Sequence, residues 1–141
     1  NLTLGIKPGL ATAASTAAWR DEDVYQLFPA LRARRHVDAA VLSGGEQQML
    51  ALGRCLMGAP SMVIVDEPTE GLAPALVQQV AACLRMLQRR GVAVMLMEQK
   101  MAIALSIADR VLVMGHGRIV FNGTPTQLRG RTALVQEWLQ V

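Results

Sequence analysis

The chain is poor in aromatic residues, lysine and cysteine, and each shortage removes a class of function. Aromatics make up 4% of its 141 residues. Single-stranded nucleic acids are gripped by stacking on aromatic side chains, so no such platform is available. Lysine occurs only at Lys7 and Lys100, and the net charge of +3 is scattered apart from Arg32, Arg34, Arg35 and the pair Arg89 and Arg90. That balance is too weak to argue for a nucleic-acid partner, and none is expected. Cys55 and Cys83 lie inside apolar helical patterns at no motif spacing. They are expected to be buried thiols of a reducing compartment, not a disulfide or a metal site. Apolar runs are short as well: the longest clean ones are 63–65 and 92–97, far below what crosses a bilayer. Membrane association is therefore expected through a partner. No charged-then-apolar leader is read ahead of the domain, which opens at Asn1.

What is present is a hydrophobic content of 52%, enough for the core of one domain or less. The chain is organised around Leu-Ser-Gly-Gly-Glu-Gln-Gln at 42–48. Ser43 and Glu46 have the spacing of a capping box, so Ser43 is expected to cap a helix beginning near Glu46. Gly44 and Gly45 leave the backbone bare there. Free amides at the positive end of a helix dipole favour a phosphate. The same residues also fit an ordinary capped helix after a glycine turn.

The second stretch is Met-Val-Ile-Val-Asp-Glu-Pro-Thr from position 62. A short apolar run ending in acids reads as a buried strand that delivers carboxylates to the carboxyl end of a sheet, where α/β proteins bind ligands. Asp66 suits a magnesium ion, directly or through its waters. Pleat alternation would turn Glu67 the other way, toward an attacking water, which suits it to general-base work. A strand simply running into a polar loop remains the alternative.

In this order, the two stretches resemble the signature motif and the Walker B strand of ATP-binding cassette (ABC) ATPases. Glu-Gly-Leu-Ala-Pro at 70–74 matches that family's D-loop, and Met-Glu-Gln-Lys at 97–100 its switch loop. The wording looks most like the ATPase subunits of branched-chain amino-acid uptake transporters. The resemblance covers nearly the whole chain, loosely over the first forty residues. It implies an α/β fold: a P-loop NTPase-like ABC ATPase domain present in part, with a helical subdomain over about 1–60 and the C-terminal half of the core sheet over about 61–141. The Walker A half is absent, since no G-x-x-x-x-G-K-[ST] loop occurs. The chain therefore reads as the C-terminal portion of such an ATPase and is expected to be inactive alone.

The resemblance further implies ATP and Mg2+ as cofactors. Leu42, Ser43, Gly44, Gly45, Glu46 and Gln47 would form the nucleotide-contacting turn, Asp66 would serve the metal, and Glu67 and Gln99 would be catalytic. Where the family at large has a switch-loop histidine this chain has Gln99, and Ala73 stands where many members have an aspartate. Both departures are shared by the branched-chain branch. The implied partners are a second ABC ATPase subunit, identical or homologous, meeting head to tail, and integral-membrane permease subunits. The implied location is the cytoplasmic face of the inner or plasma membrane. A non-catalytic module lending its signature turn to an intact ATPase, or a soluble ABC ATPase outside transport, are the competing readings.

Around these motifs the patterns are local. Residues 1–9 read as an extended or short helical opening and 10–18 as a loose helix or linker. Three acids at 21–23 open a helix with Val24, Leu27 and Phe28 on one face, and Pro29 starts a second through Arg35. His36 is read as solvent-facing beside the arginines. The helix of 46–57 should be largely buried. Pro74 should open a helix with a stripe of Leu76, Val80, Leu84 and Leu87, stopped at Gly91 and followed by a second buried strand over 92–97 that runs parallel to the first. A short helix is read over 102–108. Gly-His-Gly at 115–117 reads as a tight hairpin with His116 in the turn, and short helices are expected over 125–128 and 133–139.

Overall fold

The computed structural model describes residues 1–6 and 19–139. The loose helix or linker expected over 10–18 lies outside them, as does the end of the 1–9 opening. The chain folds as two compact units, Asn1–Met95 and Leu96–Val141.

The first unit begins with a 3-10 turn, Leu2–Gly5, laid against the long helix α3 (Gly44–Met57). Arg54 of α3 fixes it by donating to the Asn1 carbonyl at 3.0 Å and to the Asn1 side-chain oxygen at 2.9 Å. Helix α1 (Asp21–Leu27) starts at its acidic triplet, and Val24 and Phe28 are both fully buried. Helix α2 (Pro29–Ala33) opens on its proline, whose fixed φ suits the first helical position. His36 is exposed and accepts a hydrogen bond from Arg35 Nε at 2.9 Å, in keeping with its solvent-facing reading.

Strand β1 (Met62–Asp66) leads through a turn into α4 (Pro74–Arg89) and then β2 (Ala93–Met97). The stripe on α4 is present, with Val80, Leu84 and Leu87 buried as expected and joined by Val77, Ala81 and Cys83, whereas Leu76 is only half-buried. The helix stops where expected. Gly91 takes φ +78, its N–H donates to the Gln88 carbonyl at 2.9 Å, and the Val92 N–H donates to Leu87 at 3.0 Å. Arg90 then lays its guanidinium 4.2 Å from the centre of the Trp19 ring, a cation–π contact on a buried indole. Strands β1 and β2 are neighbours in a two-stranded sheet. The Ala93 N–H reaches the Ser61 carbonyl at 3.0 Å, so the two strands start side by side, as parallel strands joined by a helical crossover do.

Two expectations about burial are corrected. Neither strand is buried on both faces. Val63 and Val65 are covered, but Met62 and Ile64 are 50% and 63% exposed, and β2 alternates exposed and half-buried residues. The apolar run says only that both faces are apolar; burial of the second face needs a layer that the described residues do not supply. Likewise Cys83 is buried but Cys55 is exposed. Cys55 sits on the side of α3 shared with Ala51, where the apolar pattern of the helix does not face its packing partners.

The second unit holds α5 (Met101–Ile107), the hairpin β3 (Val111–Gly115) and β4 (Arg118–Gly123), α6 (Pro125–Arg129) and α7 (Thr132–Trp138). The hairpin is antiparallel with Gly115 opposite Arg118, and a bulge follows Val113. His116 and Gly117 take φ +48 and +73, the paired positive values of a type I′ turn, so His116 is a turn residue as read. Its ring meets that of Trp138 edge-on at 5.2 Å. Leu105, Val113 and Leu128 form the core, with Leu134, Val135, Trp138 and Leu139 of the last helical segment packed against it. No helix among the described residues is long and apolar enough to cross a membrane.

Candidate functional site

The turn at 42–46 is built by its own side chains. Ser43 caps α3, its Oγ accepting from the Glu46 N–H at 3.4 Å. Glu46 closes the box: its Oε2 accepts from both the Ser43 N–H and the Ser43 hydroxyl at 2.8 Å. The helix therefore begins at Gly44 rather than near Glu46, and both glycines fall in its first turn. Their N–H groups make no hydrogen bond among the described residues, as expected of the donors that open a helix. Leu42 is buried, and its carbonyl accepts from the Gln47 side chain at 3.1 Å, which ties the approach to the turn.

The two glycines are bare for different reasons. A Cβ on Gly44 would meet nothing within 4 Å, so that face is open to a ligand. On Gly45 it would lie 2.6 Å from Leu76 Cδ1 and 3.3 Å from Leu72 Cδ2. Gly45 is thus also the point of close approach between α3 and the 70–76 segment, a role the motif alone does not reveal.

Electrostatics single out Glu46. The backbone N–H of Ser43 and then its hydroxyl hold the Glu46 carboxyl below the usual carboxylate range, against an opposing effect of burial, and the charge of Arg34 adds the smallest contribution. Arg34 Nε lies 3.6 Å from Glu46 Oε1. Sequence reasoning missed this pairing, because nothing in the spacing of the two residues brings them together before α2 folds against α3.

Strand β1 ends at Asp66, whose carboxylate is exposed and has no hydrogen-bond or ion-pair partner among the described residues. Magnesium is commonly held by one or two carboxylates together with waters and substrate phosphates, so a single free strand-end carboxylate fits it. No group of three or more His, Cys, Asp or Glu side chains that could hold a metal ion occurs among the described residues. Glu67 lies past the end of the strand with φ +43. The expectation that pleat alternation aims its side chain does not apply, since the left-handed backbone and not the pleat sets its direction. A non-glycine residue held in that region is strained, and such strain gathers at functional turns.

The turn after Glu67 is tied back to α3. Gln48 donates from its amide to the Pro68 carbonyl at 2.6 Å, and Pro68 and Thr69 are buried. The helix that opens at the phosphate-favouring turn and the loop that follows Asp66 and Glu67 thus belong to one unit and are joined by a hydrogen bond. In the other unit Gln99 is exposed, ahead of α5, and the neighbouring Lys100 N–H donates to Glu98 Oε1 at 3.1 Å.

The family model described as ABC transporter matches residues 5–70. The high-affinity branched-chain amino acid transport ATP-binding protein BraG of Pseudomonas aeruginosa is 43% identical over 91% of this chain and 54% of its own length. The probable branched-chain amino acid transport ATP-binding protein LivF of Archaeoglobus fulgidus is 36% identical over 72% of this chain and 43% of its own. Among solved structures, an ATP-binding cassette of an ABC transporter in its ADP conformation aligns with a TM-score of 0.65 at 27% identity, covering 82% of this chain and 48% of that one. The chain spans about half the length of the curated relatives it matches. Mixed helix and sheet, the capped glycine turn and the strand-end carboxylates all agree with that likeness, and the chain belongs to the ATP-binding cassette family of ABC transporters.

Proposed function

We propose that the chain forms part of the ATP-binding and hydrolysing subunit of an ABC importer, with residues of about 1–60 as its helical subdomain and about 61–141 as the C-terminal part of its catalytic core. The observation that carries this reading is the Gln48–Pro68 hydrogen bond, which joins the capped turn at Ser43 to the strand end bearing Asp66 and Glu67. An anion cradle and a metal-ready carboxylate are both used in phosphoryl transfer, which depends on positioning and charge stabilisation, and one short scaffold ties them together for service at the two nucleotides of a pair of such domains. The transport role named for BraG and LivF supports branched-chain amino acids or a related small solute as cargo.

In this reading two such domains meet head to tail. The open amides at Gly44 and Gly45, with Ser43, contact a nucleotide held by the phosphate loop of the partner. Asp66 would hold magnesium at the nucleotide bound in cis, and that ion would supply charge neutralisation there. Glu67 takes the proton of the attacking water, and Gln99 donates a hydrogen bond to phosphate, a neutral contact where a histidine could carry charge. Permease subunits hold the ATPase at the cytoplasmic face of the membrane, and the chain by itself, without a Walker A loop, turns over no ATP.

The test is Glu67→Gln in the complete subunit. It keeps ATP binding and traps the ATP-bound dimer on size-exclusion chromatography. Turnover near the wild-type rate would remove Glu67 from the role of base.

A further inference from the structure

The nucleotide-facing turn carries a charge of the wrong sign for its proposed ligand. Glu46 Oε2 takes hydrogen bonds from the Ser43 N–H and hydroxyl, so a carboxylate is fixed one hydrogen bond away from the group that would meet phosphate. At a helix N-terminus that carboxylate stabilises the helix, yet it repels an incoming anion. The Glu46 side chain is 16% exposed and that of Arg34 52%, so solvent screens the pair in part and the effect of Arg34 is modest. Its remaining oxygen, Oε1, faces Arg34 Nε at 3.6 Å, from the cap residue just past the end of α2. That separation is too long for a direct hydrogen bond, so Arg34 acts there through charge.

We propose that Arg34 is a positioning residue of the nucleotide turn: it offsets the Glu46 carboxylate, so that Glu46 can hold Ser43 in place without driving phosphate away. The inference rests on the ATPase reading above and adds a residue outside the motifs that carry it. Because charge and not geometry is at work, lysine should serve in place of arginine. Because Arg34 acts through Glu46, it should matter only while Glu46 is ionised.

The experiment measures ATP turnover of the complete subunit as Arg34→Gln, Arg34→Lys, Glu46→Gln and the double variant Arg34→Gln/Glu46→Gln. Thermal melts confirm folding. Arg34→Gln is expected to raise KM for ATP about three- to tenfold at low salt and less at physiological salt, with kcat within about twofold. Arg34→Lys should stay near wild type, and the Arg34→Gln penalty should vanish in the Glu46→Gln background. An active parent whose KM is unmoved by Arg34→Gln, or moved equally in both backgrounds, overturns this inference alone. A parent subunit that neither binds nor hydrolyses ATP overturns the ATPase reading and this inference with it.

Discussion

Gln48 donates its side-chain amide to the carbonyl of Pro68 at 2.6 Å, across twenty positions of sequence. This contact joins the first turns of α3 to the loop that leaves β1, and a part-buried carbonyl depends on it. Replacing Gln48 by leucine removes the donor and leaves that carbonyl unsatisfied. The expected cost is about 1 to 2 kcal/mol, measured as a lower urea midpoint with an unchanged slope. An unchanged midpoint would mean that water replaces the amide.

The capping box predicts a pH response. The Glu46 carboxyl is held below its ordinary 4.5, first by the Ser43 N–H and then by the Ser43 hydroxyl and Arg34. A depressed folded value means that its stabilisation is present above 4.5 and fades as pH falls through the lower folded value. NMR titration should therefore show Glu46 titrating below its unfolded reference, and Ser43→Ala should move it upward. A Glu46 titration indifferent to Ser43→Ala would contradict the box.

The backbone at Glu67 predicts an inverted order of stability. Glycine normally costs stability relative to alanine through the unfolded chain. With φ at +43 the left-handed penalty falls on alanine instead. Glu67→Gly should be more stable than Glu67→Ala by about 1 kcal/mol in thermal or chemical melts, although both lose the carboxylate. The ordinary order would argue for an extended backbone at this position in solution.

The two thiols should behave differently. Cys83 is fully buried, and burial, with Cys55 adding to it, pushes its thiol up from 9.0 to about 12, whereas Cys55 is exposed. A maleimide reagent at mild pH should label Cys55 promptly and Cys83 only on unfolding. The raised value also means that the stability tied to the neutral Cys83 thiol is complete below 9.0 and declines as pH rises toward 12. Prompt labelling of both thiols in the folded chain would place α4 differently.

Local chemistry was legible in the sequence, and what depends on a second element was not. Ser43 with Glu46, Pro74, Gly91 and the 115–117 turn each act within a few residues, and each appears as read. The strand ending at Asp66 is legible from its apolar run closed by acids, while the α/β character follows from the resemblance to the ABC ATPases. Burial of the strands was overread, because hydropathy reports what a face prefers and not whether a neighbouring layer covers it. Pleat alternation does not reach Glu67, because the strand ends at Asp66 and the chain turns left-handed in the next step. Arg34 beside Glu46, Trp19 beneath Arg90 and Gln48 on Pro68 are meetings between elements distant in sequence, and no periodicity announces them.

The absent side chain at Gly45 also has a mechanical meaning. The room that a methyl group would fill lies against the ends of Leu76 and Leu72, so the first turn of α3 and the 70–76 loop meet closely there. The atoms met are the outer methyls of leucine side chains, which a change of rotamer can turn aside, so the contact is a yielding one. Gly45 is in effect a keyhole whose wards are soft: a larger residue is admitted only where Leu76 swings out of the way.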